Sequence, residues 1–180
     1  MDYGAYTRKL GESLVRFLDE HPIRDVEVHF DPSRKQAGRI VSFWGDFSSA
    51  TTLSRLDLAV VNIKEQRVLV LAEIEEEGAR PKAIIGDVCS LLFADKIRIK
   101  SRDYDFSDAV FLFGIKTKER GRSLSKARNL ERRILEAIRP EFLRGVALRF
   151  VYATDRLELI SRLRDHVVRT VTSPDNSAAG

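Results

Sequence analysis

Two short runs in the first half of the chain leave little choice about where they lie. Leu58, Ala59, Val60 and Val61 are apolar without a break, and so are Val68, Leu69, Val70 and Leu71. Side chains of a strand point alternately to opposite faces, so a strand that is apolar at every position is buried on both. Residues 55–63 and 67–74 are therefore predicted as two central strands of a covered sheet. Lys64, Glu65 and Gln66 separate them, a spacing that reads as a hairpin closed by a three-residue loop.

One end of this apolar hairpin carries Asp57, Glu73 and Glu75. With Ile63 paired to Arg67, Asp57 falls across from Glu73, with Cβ atoms about 4.5–5.5 Å apart on one face. Glu75, two residues on, points the same way, and Arg55 falls opposite it. Opposed like charges destabilise a sheet, and a carboxylate buried alone either costs several kcal/mol or takes up a proton. Two resolutions are open. A divalent cation removes the conflict, since hard ions such as Mg²⁺ or Mn²⁺ prefer carboxylate oxygens. Alternatively, Arg55, Arg80 and Lys82 neutralise the acids in a purely structural network.

Around the hairpin, periodicity supplies the other elements. Residues 3–20 read as a helix with Tyr6, Leu10, Leu14 and Phe17 on one face, and Pro22 beyond its end. Residues 25–30 and 39–44 read as strands, 31–38 as a polar turn, and 45–54 as a loop. Pro81 opens a second helix with a stripe of Ile84, Ile85, Val88, Leu91 and Leu92. Strands at 96–100 and 109–115 follow. A helix at 124–139 buries Leu124, Ala127, Leu130, Ile134 and Ile138 and stops at Pro140. A last strand spans 146–152. Asp155 with Glu158 suggests a reciprocal cap on a final helix carrying Leu157, Ile160, Leu163 and Val167. The expectation is an α/β fold, a mixed sheet flanked by helices on both faces. Residues 1–171 form a single domain, with a disordered tail at 172–180.

With 43% hydrophobic and 32% charged residues, the composition is that of a globular chain, not a disordered one. No apolar run is long enough to span a bilayer and no signal segment opens the chain, which points to the cytoplasm. The single cysteine, Cys89, lies among apolar residues and reads as a buried thiol. The three histidines show no zinc spacing, and glycine-rich phosphate loops and serine nucleophile turns are missing. Those absences weaken kinase, NTPase and triad-hydrolase readings. Net charge is a mild +4, but its distribution is uneven. Lys116, Lys118, Arg120, Arg122, Lys126, Arg128, Arg132 and Arg133 face only Glu119 and Glu131 in their stretch, while Glu73, Glu75, Glu76 and Glu77 cluster elsewhere. A basic face with a separate acidic pit suits a phosphate-binding metalloenzyme; solvated surface charge is the plainer alternative.

The carboxylate pattern resembles the PD-(D/E)xK nuclease superfamily, whose motif is an acid on one strand, acid-x-Lys on the next strand of a hairpin, then a helix. Asp57 matches the first acid, and Glu73-Ile74-Glu75 matches the second motif with Glu in the Lys position. The similarity covers mainly residues 55–95. It implies a restriction-endonuclease-like fold and a metal-dependent DNA endonuclease, with Mg²⁺ (or Mn²⁺) held by Asp57, Glu73 and the Ile74 carbonyl. The metal would polarise the scissile phosphate and activate water. Glu75 takes the place of the residue that positions or deprotonates that water, and some superfamily members carry Glu there. Other relatives place the lysine on the following helix, a role open to Lys82 or else a solvated position. Glu12, the counterpart of a first-helix acid in some members, lies opposite the apolar stripe and reads as solvent-facing. The alternatives are a catalytically inactive nuclease-fold DNA-binding module and a structural or interaction domain.

For DNA contact the candidates are Lys96, Arg98 and Lys100, which with Arg102 alternate with Ile97 and Ile99, and the basic loop Lys116, Lys118, Arg120 and Arg122. The first group reads equally as an edge strand guarded against aggregation. Trp44 and Phe47 flank a turn and read either as base-stacking residues or as core. Cleavage of two strands with one active site per chain favours a homodimer.

Overall fold

The computed structural model describes residues 4–31, 40–76, 80–118 and 122–173, and the side chains of Arg122 and Ser123 are outside that description. The two apolar runs form the centre of a five-stranded sheet. They are β4 (Leu58–Asn62) and β5 (Arg67–Glu75), and β1 (Val26–Phe30) lies antiparallel to β4 on the outer side. On the other side of β5 run β8 (Val110–Lys116) and β9 (Ala147–Ala153), both parallel to it, so the order is β1-β4-β5-β8-β9 and the sheet is mixed. A second, antiparallel sheet has the order β3-β2-β6-β7, from β2 (Ile40–Phe43), β3 (Thr52–Leu56), β6 (Lys96–Ile99) and β7 (Arg102–Tyr104).

Four helices complete the fold: α1 (Ala5–Glu20), α2 (Pro81–Phe93), α3 (Arg122–Ala137) and α4 (Arg156–Val171). Tyr6, Leu10 and Leu14 of α1 and Leu159, Leu163 and Val167 of α4 pack on Leu58, Val60, Val70 and Leu112, one face of the five-stranded sheet. The opposite face presents Ala59, Val61, Leu71, Phe111 and Phe113 to Ile84, Val88 and Leu91 of α2, to Ile134 of α3 and to the inner face of the second sheet. Helices therefore flank the mixed sheet on both faces. Close approach of α4 depends on Gly114, where a Cβ would come 2.7 Å from Leu163 Cδ1.

Local chemistry sets the boundaries. Pro81 sits in the first turn of α2, where a missing N–H is harmless. Before Pro140 the chain is extended at Arg139, as a residue preceding proline prefers, and α3 has ended. Asp155 caps α4 by accepting from Leu157 N and Glu158 N. The cap is not reciprocal, because Glu158 Oε1 instead accepts from Arg162 at 2.6 Å.

Several expectations need correction. Residues 55–63 are not one strand: the chain leaves the second sheet at Leu56 and enters the first at Leu58, with Asp57 between them. The hairpin turn is four residues, Ile63 to Gln66, with Asn62 paired to Arg67. A register shift follows, Val61 pairing with Val68 and Val60 with Val70, so Leu69 is the extra residue of a β-bulge. Past the bulge Leu58 pairs with Ala72, the register that the three-residue loop had implied at the acidic end. Thr52 to Ser54 are strand, not loop. Ile85 and Leu157, expected in buried stripes, are 44% and 65% exposed, and Leu159 is buried instead. Cys89 is half-buried. Glu77, Glu119, Arg120, residues 32–38 and the tail from 174 lie outside the described residues.

Candidate active site

Asp57 sits where the antiparallel ladder of β4 and β5 stops. Its Oδ2 accepts a hydrogen bond from Ile74 N at 2.9 Å, and its carbonyl accepts from Asp31 N at 2.9 Å. A side chain thus continues a ladder that backbone made up to that point. The N–H and C=O of one strand residue point to the same side, so the Ile74 carbonyl also faces the side on which β4 has ended.

Extending the pairs Phe30–Leu58 and Leu58–Ala72 by one residue puts Asp31, Asp57 and Glu73 at one level across three neighbouring strands. Asp31 and Glu73 are each 7% exposed and Glu75 is 8%. Leu71 faces the α2 side of the sheet, and alternation carries Glu73 and Glu75 to the same face. Phe30 packs on the opposite side, so Asp31 shares the face of Glu73. Asp31 was missed in the sequence because it reads as the first residue of a polar turn. Only the position of β1 beside β4 reveals it.

Arg55, expected across from Glu75, instead pairs with Val41 in the second sheet and is exposed. The cation on Glu75 is Arg80, whose Nε donates to Oε2 at 2.8 Å. Lys82 is exposed in the first turn of α2, and Glu12 is exposed on α1. Glu76 Oε1 accepts from Tyr6 N at 3.3 Å, which ties the first turn of α1 to the end of β5.

Lys116 is the last residue of β8 rather than part of a loop, and it pairs with Ala153. Amides of the first turn of α4, led by Glu158, hold the Asp155 carboxyl below its ordinary range, with Lys116 adding to the effect. Lys118 is exposed just beyond. Arg122 opens α3. All these groups sit at the carboxyl ends of parallel strands, where open α/β sheets bind ligands.

Lys96, Arg98 and Lys100 form a separate group. Lys96 and Arg98 lie on β6, which is interior to the second sheet, between β2 and β7, so the guarded-edge reading does not hold. Lys96 and Lys100 are exposed, and Lys100 has a positive φ of 56° in the turn before β7. Arg98 is engaged within the fold: its guanidinium makes two hydrogen bonds to Asp103, the second 2.7 Å long, and holds that carboxyl below its usual range.

The donors at the end of β4 and β5 are oxygens only, a set that suits a hard divalent cation and not a soft one. The donors that fit are the Asp57 carboxylate, whose Oδ2 accepts from Ile74 N, the Glu73 carboxylate and the Ile74 carbonyl. Among the described residues no three His, Cys, Asp or Glu side chains gather closely enough to hold a metal by themselves, so the carbonyl, water or substrate must complete the shell. No family model, curated protein or solved structure matches the chain. Among the described residues no helix is long and apolar enough to cross a membrane.

Proposed function

We propose that the chain is a metal-dependent DNA endonuclease of the PD-(D/E)xK type, with a restriction-endonuclease-like arrangement of its five-stranded sheet. The observation that carries this reading is the Asp57 carboxylate bound to the Ile74 amide, at the level of buried Glu73 and Asp31, where β4 ends. An ordinary strand end has no need of a carboxylate in the ladder. The acid–hairpin–acid–helix order supports the same reading.

Asp57, Glu73 and the Ile74 carbonyl would hold Mg²⁺ or Mn²⁺, which supplies Lewis-acid polarisation of the phosphodiester and lowers the pKa of water. Glu75 accepts the proton of the attacking water, and Arg80 orients the Glu75 carboxylate by its 2.8 Å bond. Lys116 and Lys118, next in space along β8, neutralise backbone phosphates of the DNA. One such site per chain cuts one strand, so two-strand cleavage calls for a homodimer.

The Arg80–Glu75 bond also favours a second reading, in which Glu75 is a structural anion and the fold binds DNA without cutting it. Incubation with supercoiled plasmid in Mg²⁺, Mn²⁺ or chelator separates the two. Nicking or linearisation in metal, lost in chelator and in Asp57→Asn, supports the nuclease. Binding without cleavage under every condition leaves the second reading.

A further inference from the structure

The second sheet turns Ile40, Leu56, Ile97, Ile99 and Tyr104 into the core. By register and alternation its outer face carries Val41, Phe43, Arg55, Lys96, Arg98 and Asp103. Three are cations and one is an acid, and that acid is bound by Arg98. The loop after β2 bends back over this face. Phe47 meets Phe43 edge-on, with ring centroids 5.2 Å apart, and the Arg98 guanidinium lies 3.9 Å from the Phe47 centroid. Fixed on both sides, Phe47 is nevertheless 40% exposed, and Trp44 at the start of the loop is 52% exposed. The loop is itself braced. Gly45 N donates to Asp95 at 2.8 Å, Ser48 N to Thr51 Oγ1 at 2.8 Å, and Thr51 Oγ1 to the Asp46 carbonyl at 2.7 Å. Neither aromatic is core, as one sequence reading had them.

We propose that Trp44 and Phe47, backed by Arg98, form a stacking site for the unpaired bases of single-stranded DNA. This deepens the nuclease reading by naming the form of its substrate, and it rests on that reading for the choice of DNA. Unpaired bases bring flat π faces and phosphates together, and this surface offers half-exposed rings beside an exposed lysine, Lys96. Because the Phe47 ring is held by Phe43 and Arg98 before any ligand arrives, little of its side-chain entropy is lost on binding. Ile40 pairs with Leu56, the neighbour of Asp57, and Phe43 is the other end of that strand, roughly 10 Å away at 3.4 Å per residue.

Trp44 is the only tryptophan in the chain, so its fluorescence reports on the site directly. The full-length protein is titrated in chelator with oligothymidylate, a duplex of equal length, an abasic strand with the same phosphates, and oligouridylate, with anisotropy of labelled strands read in parallel. Saturable quenching by oligothymidylate is expected, with at least about ten-fold weaker binding of the duplex and the abasic strand. Phe47→Leu, which keeps apolar volume on Phe43 but removes the π face, should weaken oligothymidylate about five- to ten-fold. Equal affinity for duplex and single strand overturns the proposal, as does anisotropy showing binding while Trp44 stays unquenched. Binding of oligouridylate alone overturns the choice of DNA, and fluorescence that changes with protein concentration alone points to a second copy instead. Quenching in a protein that never cleaves leaves this site standing and removes the catalytic reading; cleavage without quenching does the reverse.

Discussion

Replacing Asp57 in two ways separates what its carboxylate does for the fold from what it does for a cation. Asp57→Ala deletes the acceptor of the Ile74 amide, and Ile74 is only 8% exposed, so that N–H loses its partner in a nearly dry place. A hydrogen bond to a charged acceptor contributes about 1.5–3 kcal/mol. Loss of the charge returns up to about 1 kcal/mol of like-charge repulsion, for a net cost of about 0.5–3 kcal/mol; at roughly 2–4 °C per kcal/mol for a chain of this length, Asp57→Ala should melt roughly 1–12 °C lower. Asp57→Asn keeps an oxygen that accepts from the same amide and removes one charge from the row with Asp31 and Glu73. The weaker neutral bond and the relief of like-charge repulsion, each about 1 kcal/mol or less, nearly cancel. In chelator Asp57→Asn should therefore melt close to wild type. With Mn²⁺ or Mg²⁺ at about 100 times its dissociation constant, wild type gains about 2.7 kcal/mol, and neither Asp57 variant nor Glu73→Gln should follow it. Calorimetric melts in chelator and in metal read all of this. A wild type whose melting temperature ignores both ions refutes the cation, and an Asp57→Asn as unstable as Asp57→Ala refutes the reading of the Ile74 bond.

Glu75→Gln retains an acceptor for Arg80 but cannot take a proton, so cleavage should fall roughly 10²-fold or more while the metal-linked melting shift persists; an unchanged rate would make Lys82→Ala the next variant. Lys116→Glu with Lys118→Glu should weaken duplex DNA binding alike across sequences and reduce the salt slope by about one unit per lost phosphate contact, read by anisotropy over a salt series; an unchanged slope would place the phosphates elsewhere. His29 gives a pH dependence. Burial lowers its pKa below 6.5 and Lys100 adds to that, while Glu27 opposes. The folded state thus prefers the neutral ring, so this contribution is present above 6.5 and lost as pH falls through the folded-state pKa. Denaturant titrations from neutral to mildly acid pH should show that loss, and His29→Gln should flatten it; identical profiles would show that His29 is not its source.

Much of the central sheet was legible because its chemistry is one-dimensional. An unbroken apolar run needs cover on both faces whatever surrounds it, and Leu58–Val61 and Val68–Leu71 received that cover from helices on one face and from helices with the second sheet on the other. The pairing that set Asp57 level with Glu73 came out right through two offsetting differences. The turn is one residue longer than a three-residue loop, and the bulge at Leu69 takes up the extra residue. No periodicity encodes a bulge in a run where every side chain is apolar. The second sheet was hidden for a related reason. Residues 55–63 look like one strand, since nothing in Leu56-Asp57-Leu58 announces that the chain changes sheets there. That misreading placed Arg55 on Glu75, and it concealed Asp31, whose position depends on which strand borders β4. Arg80 was within view as a structural cation. That it, rather than Lys82, binds Glu75 depends on the path between β5 and α2, and on no residue pattern.

Whether the acidic end is held by protein partners alone or also by a cation is a question of what surrounds its carboxylates. Three helices begin just after the carboxyl ends of β5, β8 and β9, and Glu76 ties the first turn of α1 to the same end. Their amide ends favour negative charge, typically by about 0.3–1 kcal/mol each at partly exposed positions. Arg80 adds one ion pair, on a guanidinium that is 56% exposed and therefore well screened. Against this stand Asp31, Glu73 and Glu75, each more than nine-tenths buried, with Asp57 drawn into the same level by the Ile74 amide. Desolvating even one such carboxylate costs several kcal/mol, and Asp31, Asp57 and Glu73 each have further partners within the fold that share in offsetting it. A network of protein partners alone and a bound cation part cleanly in experiment. A purely structural network leaves stability indifferent to metal; cation binding makes metal stabilise at neutral pH and fade on acidification as protons compete for the same oxygens. The oxygen-only donor set and the carboxylate held in the ladder support the second course, and melts with and without Mn²⁺ across that pH range decide between them.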